Sequence, residues 1–515
     1  ARTVNRKTHS LAAGALGVWL CAGVAAGADS SLATVAEQSG FTRTGRYDEV
    51  ERLCGAFAAR WSNQVRCFQF GTTPEGRSMM ALVVSADGTM SASRARGRAR
   101  PVILIQGGIH AGEIDGKDAG FLALRELLEG KAAPGALKKV TLLFVPVFNV
   151  DGHERFGAWN RPNQRGPEEM GWRTTAQNLN LNRDYAKADA PEMRAMQRLL
   201  NEWDPIVYAD LHVTDGADFE HDVAVTVSPE EEGDPTVAAL AAGVRDELVR
   251  RLDSQGSLGL PFYPAFDRDD DPMSGFSRKP SSPRYSTGYW GARNRIGILL
   301  ETHSWKDYPT RVRVTRNFIV DLMALAAEQG ADWRRVVRGA DDASAHLPGT
   351  PVPLNFVNTG TARTIEFRGY AYTREPSPIS GGLVTHYDPT QPMIWRVPLH
   401  EEVRPTLAVN APGAGYVVPA AVASWLAEKL RGHDIRFEWI DAARAGLRVE
   451  AWRAAKVTLA AESFEGHVAT TLEGNWGAET RDLPPHSLFV PIAQPKARLL
   501  MALLEPQAPD SYASW

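Results

Sequence analysis

Residues 102–115 have the sequence VILIQGGIHAGEID, which contains the clearest signal for the fold class of the chain. It begins with Val102 to Gln106, a run rich in β-branched residues, and continues into Gly107 and Gly108, which predicts a buried strand that ends in a tight turn. Apolar residues then recur at helical spacing from Asp115 to Leu128, which predicts a helix. A strand followed directly by a helix indicates an α/β unit with a covered sheet.

The same alternation of strands and helices continues through residues 40–335. The turn signals of Pro74 to Arg77 join the first two predicted strands into a hairpin. The predicted strands are Val65 to Phe70, Met79 to Ser85, Val140 to Val147, Ile206 to Leu211 and Ile296 to Leu300. The predicted helices are Arg46 to Trp61, one that Asp189 opens with Pro191 in its first turn, and Arg311 to Glu328. This order predicts a mixed β-sheet flanked by helices.

The composition changes after this unit. Residues 339–355 are rich in Ala, Asp, Ser, Pro and Gly and lack a hydrophobic period, which predicts a linker. Residues 356–515 follow with alternating segments such as Thr364 to Tyr372, a helical pattern around Ala420 to Leu430, and many turn signals. We therefore expect a C-terminal α+β domain that is rich in β-structure, whose role the sequence does not indicate.

Length and charge exclude several classes of protein. The chain has 515 residues, of which 43% are hydrophobic and 23% are charged, values that are typical of a globular protein rather than a disordered or fibrous one. The 57 Lys and Arg residues against 61 Asp and Glu residues leave a net charge of -4 and no basic stripe that would neutralise a run of phosphates. Nucleic acid is therefore not an expected partner.

Residues 1–28 have the pattern of a secretory signal peptide. Basic residues up to Lys7 precede an apolar run from Leu11 to Val24, and small residues at Ala26 and Ala28 suit a signal-peptidase site. The apolar run is shorter than the roughly 20 residues that span a bilayer. We therefore expect a periplasmic or secreted protein without stable membrane insertion after signal cleavage, with an uncleaved anchor helix as the alternative.

Two cysteines, Cys54 and Cys67, follow the predicted signal peptide. In an oxidising compartment they can form one disulfide, and two free buried thiols are an equally good interpretation.

His110 and Glu113 place an imidazole and a carboxylate on the loop after the strand at residues 102–106. A catalytic zinc takes three protein ligands, for example two histidines and one glutamate, and keeps a fourth position open. The pair alone is a weak signal because this spacing is common by chance. His212 is the third candidate, since it follows a predicted strand and strand ends converge at one edge of an α/β sheet. By itself, His212 equally fits a structural histidine.

Glu301 directly follows the apolar strand Ile296 to Leu300. A carboxylate in such a place is costly to bury without a function. Burial would raise the pKa of Glu301 towards the range in which a carboxyl group transfers protons near neutral pH. The sequence therefore predicts a general base next to the metal.

The motifs of residues Tyr47 to Leu325 resemble those of the zinc carboxypeptidases, also called metallocarboxypeptidases. Several motifs in the same order are far more specific than any one of them. They are Gly71 to Arg77 (GTTPEGR), His110 to Glu113, Pro146 to Gly152 (PVFNVDG), Asn180 to Asp184 (NLNRD), Leu211 with His212, and Leu300 with Glu301.

This resemblance implies a role for each matching residue. His110, Glu113 and His212 correspond to the ligands of one Zn²⁺ per chain, and Glu301 corresponds to the general acid/base. The implied fold is the mixed, helix-flanked sheet of that family, which agrees with the order of strands and helices.

The resemblance also implies how the substrate is held. Asn182 and Arg183 correspond to the pair that binds the terminal carboxylate, a task that suits the planar fork of a guanidinium group. For the arginine that polarises the scissile carbonyl, the resemblance favours Arg173, with Arg161 and Arg165 as rivals in the same loop.

Tyr285 and Tyr289 both precede Glu301 and are candidates for the family's substrate-capping tyrosine.

The sequence departs from the family in two places. Gly112 stands where many digestive members carry an arginine, so the subsite for extended substrates should differ. Residues 268–283 resemble an inserted loop over the cleft, and its acidic run 269–271 is either a feature that attracts basic substrates or, as such runs usually are, a solvated face.

The implied function is that of a zinc-dependent metallocarboxypeptidase that hydrolyses the C-terminal peptide bond of peptides. The first alternative is a zinc amidohydrolase of the aspartoacylase type, which acts on acylated amino acids. The second is a non-catalytic secreted binding protein on the same scaffold, and the presence of all three ligands and Glu301 argues against it. The expected partner is therefore a peptide or an acylated amino-acid substrate.

Overall fold

The computed structural model describes residues 30–515. The predicted signal peptide, residues 1–28, lies outside the described residues. Among residues 30–515, no helix is both long enough and apolar enough to cross a membrane.

Helices and strands alternate through the first two thirds of the chain, and strands dominate the last third. The strands are β1 (Val65–Thr72), β2 (Ser78–Val84), β3 (Val102–Gly107), β4 (Thr141–Val145), β5 (Val207–Val213), β6 (Val223–Ser228), β7 (Gly259–Leu260), β8 (Phe276–Ser277), β9 (Ile296–Thr302), β10 (Pro351–Asn358), β11 (Arg363–Pro376), β12 (Leu383–His400), β13 (Val403–Asn410), β14 (Gly415–Val418), β15 (Glu438–Ile440), β16 (Arg444–Leu459), β17 (Thr470–Leu483) and β18 (Ser487–Pro491).

The α-helices are α1 (Val35–Gln38), α2 (Tyr47–Arg60), α3 (Ala92–Gly97), α4 (Asp115–Leu128), α5 (Ala136–Lys139), α6 (Val150–Glu154), α7 (Pro191–Trp203), α8 (Pro235–Ser254), α9 (Ser286–Ala292), α10 (Tyr308–Ser344), α11 (Ala420–Gly432) and α12 (Ala497–Leu504). Short 3-10 helices cover Ser30–Leu32, Leu181–Arg183 and Pro272–Ser274.

The centre of the molecule is a mixed sheet in the order β1-β2-β4-β3-β5-β9-β6-β7. Strands β4, β3, β5 and β9 run parallel to one another, while the β1–β2 hairpin and β6 pair antiparallel at either side. Every residue of β3, β4 and β5 is buried, as expected for apolar strands covered on both faces. The predicted mixed, helix-flanked sheet is confirmed.

Helix α10 packs across α4 and α8 on one side of this sheet. It contains a buried ion pair in which Arg311 Nε lies 3.0 Å from Asp115 Oδ2 at the start of α4. The same Asp115 oxygen accepts a hydrogen bond from Thr302 Oγ1 of β9 at 2.7 Å. These contacts fix the helix that follows the His110–Glu113 loop against the strand that carries Glu301.

The predicted linker at residues 339–355 is wrong. Helix α10 continues to Ser344, and strand β10 begins at Pro351. The helix extends past the predicted end at Glu328 because Trp333, Val337 and Ala340 remain buried along it.

The C-terminal third is rich in β-structure, as predicted, but it does not form a core of its own. Side chains of α11, β18 and α12, such as Leu430, Leu488 and Leu500, belong to the same apolar cluster as Val207 of the central sheet. The long hairpins β11–β12 and β16–β17 are instead largely exposed. Near the other end of the described chain, a disulfide joins Cys54 of α2 to Cys67 of β1, with Cα atoms 5.4 Å apart.

Candidate metal centre and substrate cavity

Three neighbouring strands of the sheet bring the predicted metal and base residues together. His110 and Glu113 lie on the loop that joins β3 to α4, His212 is in β5, and Glu301 is in β9. Strand β5 lies between β3 and β9, and His212 pairs directly with Glu301 across the parallel ladder. The carboxyl ends of parallel strands meet at one edge of a sheet, which is where this cluster forms.

The donor atoms of the predicted ligands converge on one point. One ligand atom from each of His110, Glu113 and His212 lies within 4.8 Å of the others, and all three residues are buried. His110 Nδ1 lies 3.1 Å from Glu113 Oε1, and His212 Nδ1 lies 2.8 Å from Glu113 Oε2. Two imidazoles and a carboxylate form the donor set of catalytic zinc sites.

Asn180 determines which nitrogen of His110 is free. Asn180 Oδ1 accepts a hydrogen bond from the Asn182 backbone N–H at 2.9 Å, so this atom is the amide oxygen. His110 Nε2, 3.0 Å away, must therefore donate to it. Burial lowers the pKa of His110 to about 4, so the neutral ring carries a lone pair on Nδ1. That lone pair faces the Glu113 carboxylate, an arrangement that a cation between them stabilises.

Asp210 lies next to Nε2 of His212, as Asn180 lies next to Nε2 of His110. Asp210 Oδ2 lies 3.0 Å from His212 Nε2 and also accepts a hydrogen bond from Ser286 Oγ at 2.6 Å. A carboxylate behind a histidine ligand orients the ring and makes its other nitrogen a stronger donor. The residues present therefore fit a zinc ion held by His110, Glu113 and His212.

Arginines hold Glu113 in its ionised form. Burial would raise the pKa of this carboxyl group, but the nearby charge of Arg161 keeps it well below its usual range. Arg161 Nη1 lies 2.8 Å from Glu113 Oε1, and its other terminal nitrogen donates to the Val213 and Thr214 carbonyls. Arg173 Nη1 is farther from Glu113 Oε1, at 3.3 Å.

The stem of Arg161 lies over Gly112 of the His110–Glu113 loop. A Cβ atom at Gly112 would come within 2.9 Å of Arg161 Cδ and 2.8 Å of the Gly171 carbonyl. Any side chain at this position would therefore displace the arginine that neutralises Glu113, which gives a local reason for glycine here.

Glu301 faces the same point from β9. Burial raises the pKa of Glu301 to about 8, with the His212 charge opposing this rise and the Glu113 charge adding to it. Its Oε2 atom is buried and has no hydrogen-bond partner among residues 30–515. An oxygen with a free lone pair and a pKa near neutrality is suited to accept and return a proton.

A cavity of about 640 Å³ opens beside this cluster. Its volume is within the range of sites that bind small ligands. The predicted site residues that line it are His110, Glu113, Arg173, Asn182, Arg183, His212, Tyr285 and Glu301.

Arg183 and Asn182 lie on the cavity wall, and each has N–H groups that remain available to bind a ligand. Arg183 is half-buried, and its guanidinium stacks over the Tyr285 ring at 4.4 Å and donates to the Asn182 carbonyl at 2.7 Å. Within residues 30–515, no carboxylate forms an ion pair with it. Asn182 Oδ1 accepts from the Ser286 backbone N–H at 2.9 Å, which directs its amide NH₂ elsewhere. The two side chains therefore offer a cation and an amide donor for an anion.

Other candidates lie away from the cavity. The fully buried Tyr289 hydroxyl lies 2.9 Å from His433 Nδ1, so the structure does not place this tyrosine at the substrate. The Arg165 guanidinium packs over the Trp305 ring, 5.3 Å from its centre. The acidic run also turns away, because Asp270 accepts a hydrogen bond from Thr385 N and Asp271 pairs with Arg268.

Sequence reasoning missed residues that line the cavity from distant parts of the chain. Tyr263 lies there, with 38% of its surface exposed to the cavity and solvent. Leu399 and Glu401, at the end of the β11–β12 hairpin, form part of the same wall. No local pattern marks these positions, because they reach the cavity only through the folding of the C-terminal third.

Comparison with known proteins shows that this chain is similar to zinc carboxypeptidases. Residues 50–250 match the family model of the zinc carboxypeptidases. Carboxypeptidase 2 of Trichophyton rubrum is 24% identical over 466 residues, which cover 86% of this chain and 78% of that protein. Carboxypeptidase 2 of Trichophyton equinum is 23% identical, with the same shares covered.

Solved structures give fold-level similarities of low score. Carboxypeptidase A from Helicoverpa armigera superposes with a TM-score of 0.40 at 16% identity, over 55% of this chain and 74% of that chain. The metallo-carboxypeptidase from Burkholderia cenocepacia gives a TM-score of 0.39 at 18% identity, over 54% and 69%.

The predicted resemblance to the zinc carboxypeptidases is confirmed by the family match and the related sequences. The match supports a peptide-bond hydrolase, and the triad of His110, Glu113 and His212 is compatible with the zinc that this family uses.

Proposed function

Because residues 50–250 form a zinc carboxypeptidase domain, we propose that the protein is a zinc-dependent metallocarboxypeptidase that removes the C-terminal residue of peptides. The observation that carries this proposal is the position of Arg183. This half-buried cation, which forms no ion pair with any acidic residue of the described chain, lines the same cavity as the His110–Glu113–His212 triad and Glu301. A free terminal carboxylate bound at Arg183 would place the last peptide bond of the substrate in that cavity.

The three metal ligands would hold the zinc ion, and Glu301 transfers the proton. Zinc bound by His110, Glu113 and His212 would supply Lewis-acid chemistry, which polarises a carbonyl group and makes water more acidic. Glu301 accepts the proton of the attacking water at its unpaired Oε2 atom and then donates it to the leaving amine. Because the pKa of Glu301 is raised to about 8 by burial, the same group can perform both transfers near neutral pH.

Arginines and an asparagine orient the substrate. Arg173 lines the cavity next to Glu113 and donates to the oxygen that becomes negative as the carbonyl is attacked. The fork of Arg183 binds both oxygens of the terminal carboxylate, and Asn182 adds a further hydrogen bond. The Tyr285 ring, stacked on Arg183, limits the positions that the guanidinium can take.

The test compares peptides that differ only at their C-terminus. The native enzyme should cleave free-acid peptides much better than their C-terminal amides. Arg183→Ala should lower kcat/KM for the free acid by more than about 30-fold, equivalent to roughly 2 kcal/mol or more, and affect the amide far less. Arg183→Lys is the matched control, since it keeps the charge but loses the fork and should give an intermediate loss.

Equal cleavage of the free acid and the amide by the native protein would contradict the proposal. In that case an amidohydrolase or an endopeptidase would account for the site better. Acylated amino acids belong in the same assay, because their hydrolysis in preference to peptides would identify the amidohydrolase.

We also propose that the protein is exported to the periplasm or beyond. The basic start, the apolar run Leu11 to Val24 and the small residues before Asp29 support signal cleavage after Ala28. N-terminal sequencing of the exported protein should then begin at Asp29, and an intact N-terminus on cytoplasmic protein would contradict this.

A further inference from the structure

A turn in the C-terminal third forms a hydrogen bond with Asn180, the residue that binds His110 of the candidate metal centre. Glu465, between β16 and β17, accepts a hydrogen bond at Oε2 from the backbone N–H of Asn180 at 2.8 Å. Asn180 in turn binds His110 Nε2 through its side-chain oxygen. Two hydrogen bonds therefore connect the tip of a distant hairpin to a ring that would coordinate zinc.

The backbone of this turn favours a different residue at position 465. Phe464 and His467 form a two-residue hairpin turn, in which Glu465 has φ 50° and Gly466 has φ 81°. Turns with positive φ at both central positions prefer Asn or Asp followed by Gly, because few other side chains tolerate this conformation. Glutamate is therefore a poor choice for the turn, and its reach to Asn180 gives a reason for its presence.

Contacts on both sides hold the turn in place. His467 Nε2 lies 2.6 Å from Asp189 Oδ2, and the Phe464 ring stacks on Trp515. Arg284, next to the cavity residue Tyr285, places its guanidinium over the same Trp515 ring. The turn is thus anchored beside the wall that carries Arg183, and the Glu465 charge acts on this arginine in opposition to its desolvation.

We propose that Glu465 is a positioning residue for the metal centre. By fixing the Asn180 backbone, it holds the Asn180 side chain so that its oxygen accepts from His110 Nε2, which leaves Nδ1 directed at the metal position. The C-terminal third is in this way part of the active site, although it lies outside the matched family domain of residues 50–250. The inference rests on the metal site of the proposed function, but not on peptide cleavage.

The test uses zinc-loaded, full-length protein and three variants. Glu465→Asn suits the turn better but is one methylene too short to reach Asn180, while Glu465→Gln keeps both length and acceptor. Glu462→Ala is the control, because this exposed residue near the turn has no hydrogen bond or ion pair within residues 30–515. We measure the rate of zinc transfer to a chromophoric chelator, the Tm, and kcat and KM separately.

Glu465→Asn should release zinc roughly 3- to 10-fold faster, below the 10- to 100-fold effect of losing a direct partner of a ligand. Its Tm should stay the same or rise, which separates positioning from a loss of stability. Glu465→Gln and Glu462→Ala should behave like the native protein. Native zinc release by Glu465→Asn, or equally fast release by Glu465→Gln, would overturn the proposal.

Zinc release and peptide cleavage distinguish the two proposals. If the native protein cleaves no peptide but Glu465→Asn still releases zinc faster, the proposed function fails and the role of Glu465 stands. If peptides are cleaved and zinc release is unchanged in Glu465→Asn, the function stands and the role of Glu465 fails.

Discussion

The two histidines of the candidate metal centre present the same ring atom to Glu113 because each has a polar partner behind it. Asn180 binds His110 Nε2, and Asp210 lies 3.0 Å from His212 Nε2. Since each partner occupies the Nε2 side of a ring, Nδ1 faces the carboxylate in both cases. Residues outside the triad therefore decide which nitrogen of each ring faces Glu113.

The role of the Glu301 side chain can be tested by a single substitution. Replacing it in Glu301→Gln keeps the shape of the side chain but removes its ability to carry a proton, so turnover should fall by at least about 100-fold. Zinc content should stay at one ion per chain, because Glu301 is not among the three ligands. Peptide hydrolysis and elemental analysis of the same preparation measure the two quantities.

His212→Ala provides the matched control for that experiment, since it should lose zinc and turnover together. Near-native turnover of Glu301→Gln would mean that another group is the base. Loss of zinc from Glu301→Gln would mean that the carboxyl group serves the metal rather than the proton.

At the scale of secondary-structure elements, the site depends on the parallel order of β3, β5 and β9. The register that pairs His212 with Glu301 sets the two side chains next to each other, and a shift of β9 by one residue would send Glu301 to the opposite face of the sheet. The ion pair of Asp115 with Arg311 then fixes α4 against α10, so the His110–Glu113 loop cannot tilt away from β5.

His433, which follows helix α11, should make the stability of the folded protein depend on pH. His433 is fully buried there, and its ring lies within hydrogen-bond distance of the Tyr289 and Tyr512 hydroxyls and the Ala186 carbonyl. Burial, with the positive charges of Arg293, Lys429 and Lys496 against it and backbone hydrogen bonding partly opposing, lowers its pKa to about 3. The folded protein therefore holds this imidazole neutral at pH 5, whereas the unfolded chain protonates it.

A lowered histidine pKa gives stability that is present above the unfolded value of about 6.5 and lost as the pH falls below it. Between pH 7 and pH 5 the native protein should lose about 2 kcal/mol through this residue, and His433→Gln should not. The free energies of unfolding of the two proteins in urea at both pH values give this difference. If the gap between native and variant is the same at pH 5 as at pH 7, His433 is not buried in neutral form.

At the scale of the whole molecule, the C-terminal third shares its core with the central sheet. Leu488 and Val490 of β18 and Leu500 of α12 lie in the same apolar cluster as the side chains of β3 and β5. Separating the two parts would expose this surface to water, at a cost of roughly 25 cal/mol for each Å² of apolar area. The two regions are therefore expected to unfold together.

Hydrogen exchange in increasing denaturant checks this expectation. Peptides from β5 and from β18 should lose protection at the same denaturant concentration, whereas the exposed β16–β17 hairpin should exchange earlier because few of its side chains are buried. Loss of protection in β18 at a clearly lower concentration than in β5 would show two independent folding units.

The strands of the central sheet and the candidate residues of the metal centre could be predicted from the sequence. Buried parallel strands are continuous apolar runs, and local composition is enough to find them in β3, β5 and β9. His110, Glu113, His212 and Glu301 lie at or just after the ends of these runs, which made them candidates, and the resemblance to the zinc carboxypeptidases implied their roles as ligands and base. The resemblance to a family added Asn182 and Arg183 through a short local motif.

The residues that surround these groups could not be predicted from the sequence and follow from the tertiary fold. Arg161 lies closer to Glu113 than Arg173 does, Tyr263 lines the cavity, and Tyr289 does not. Helix α10 and strand β10 cover most of the predicted linker, and Glu465 of the C-terminal third accepts a hydrogen bond from the Asn180 backbone. Such contacts join segments that are far apart in the chain. Their partners are selected by packing and desolvation in three dimensions, and no periodicity or short motif records that selection.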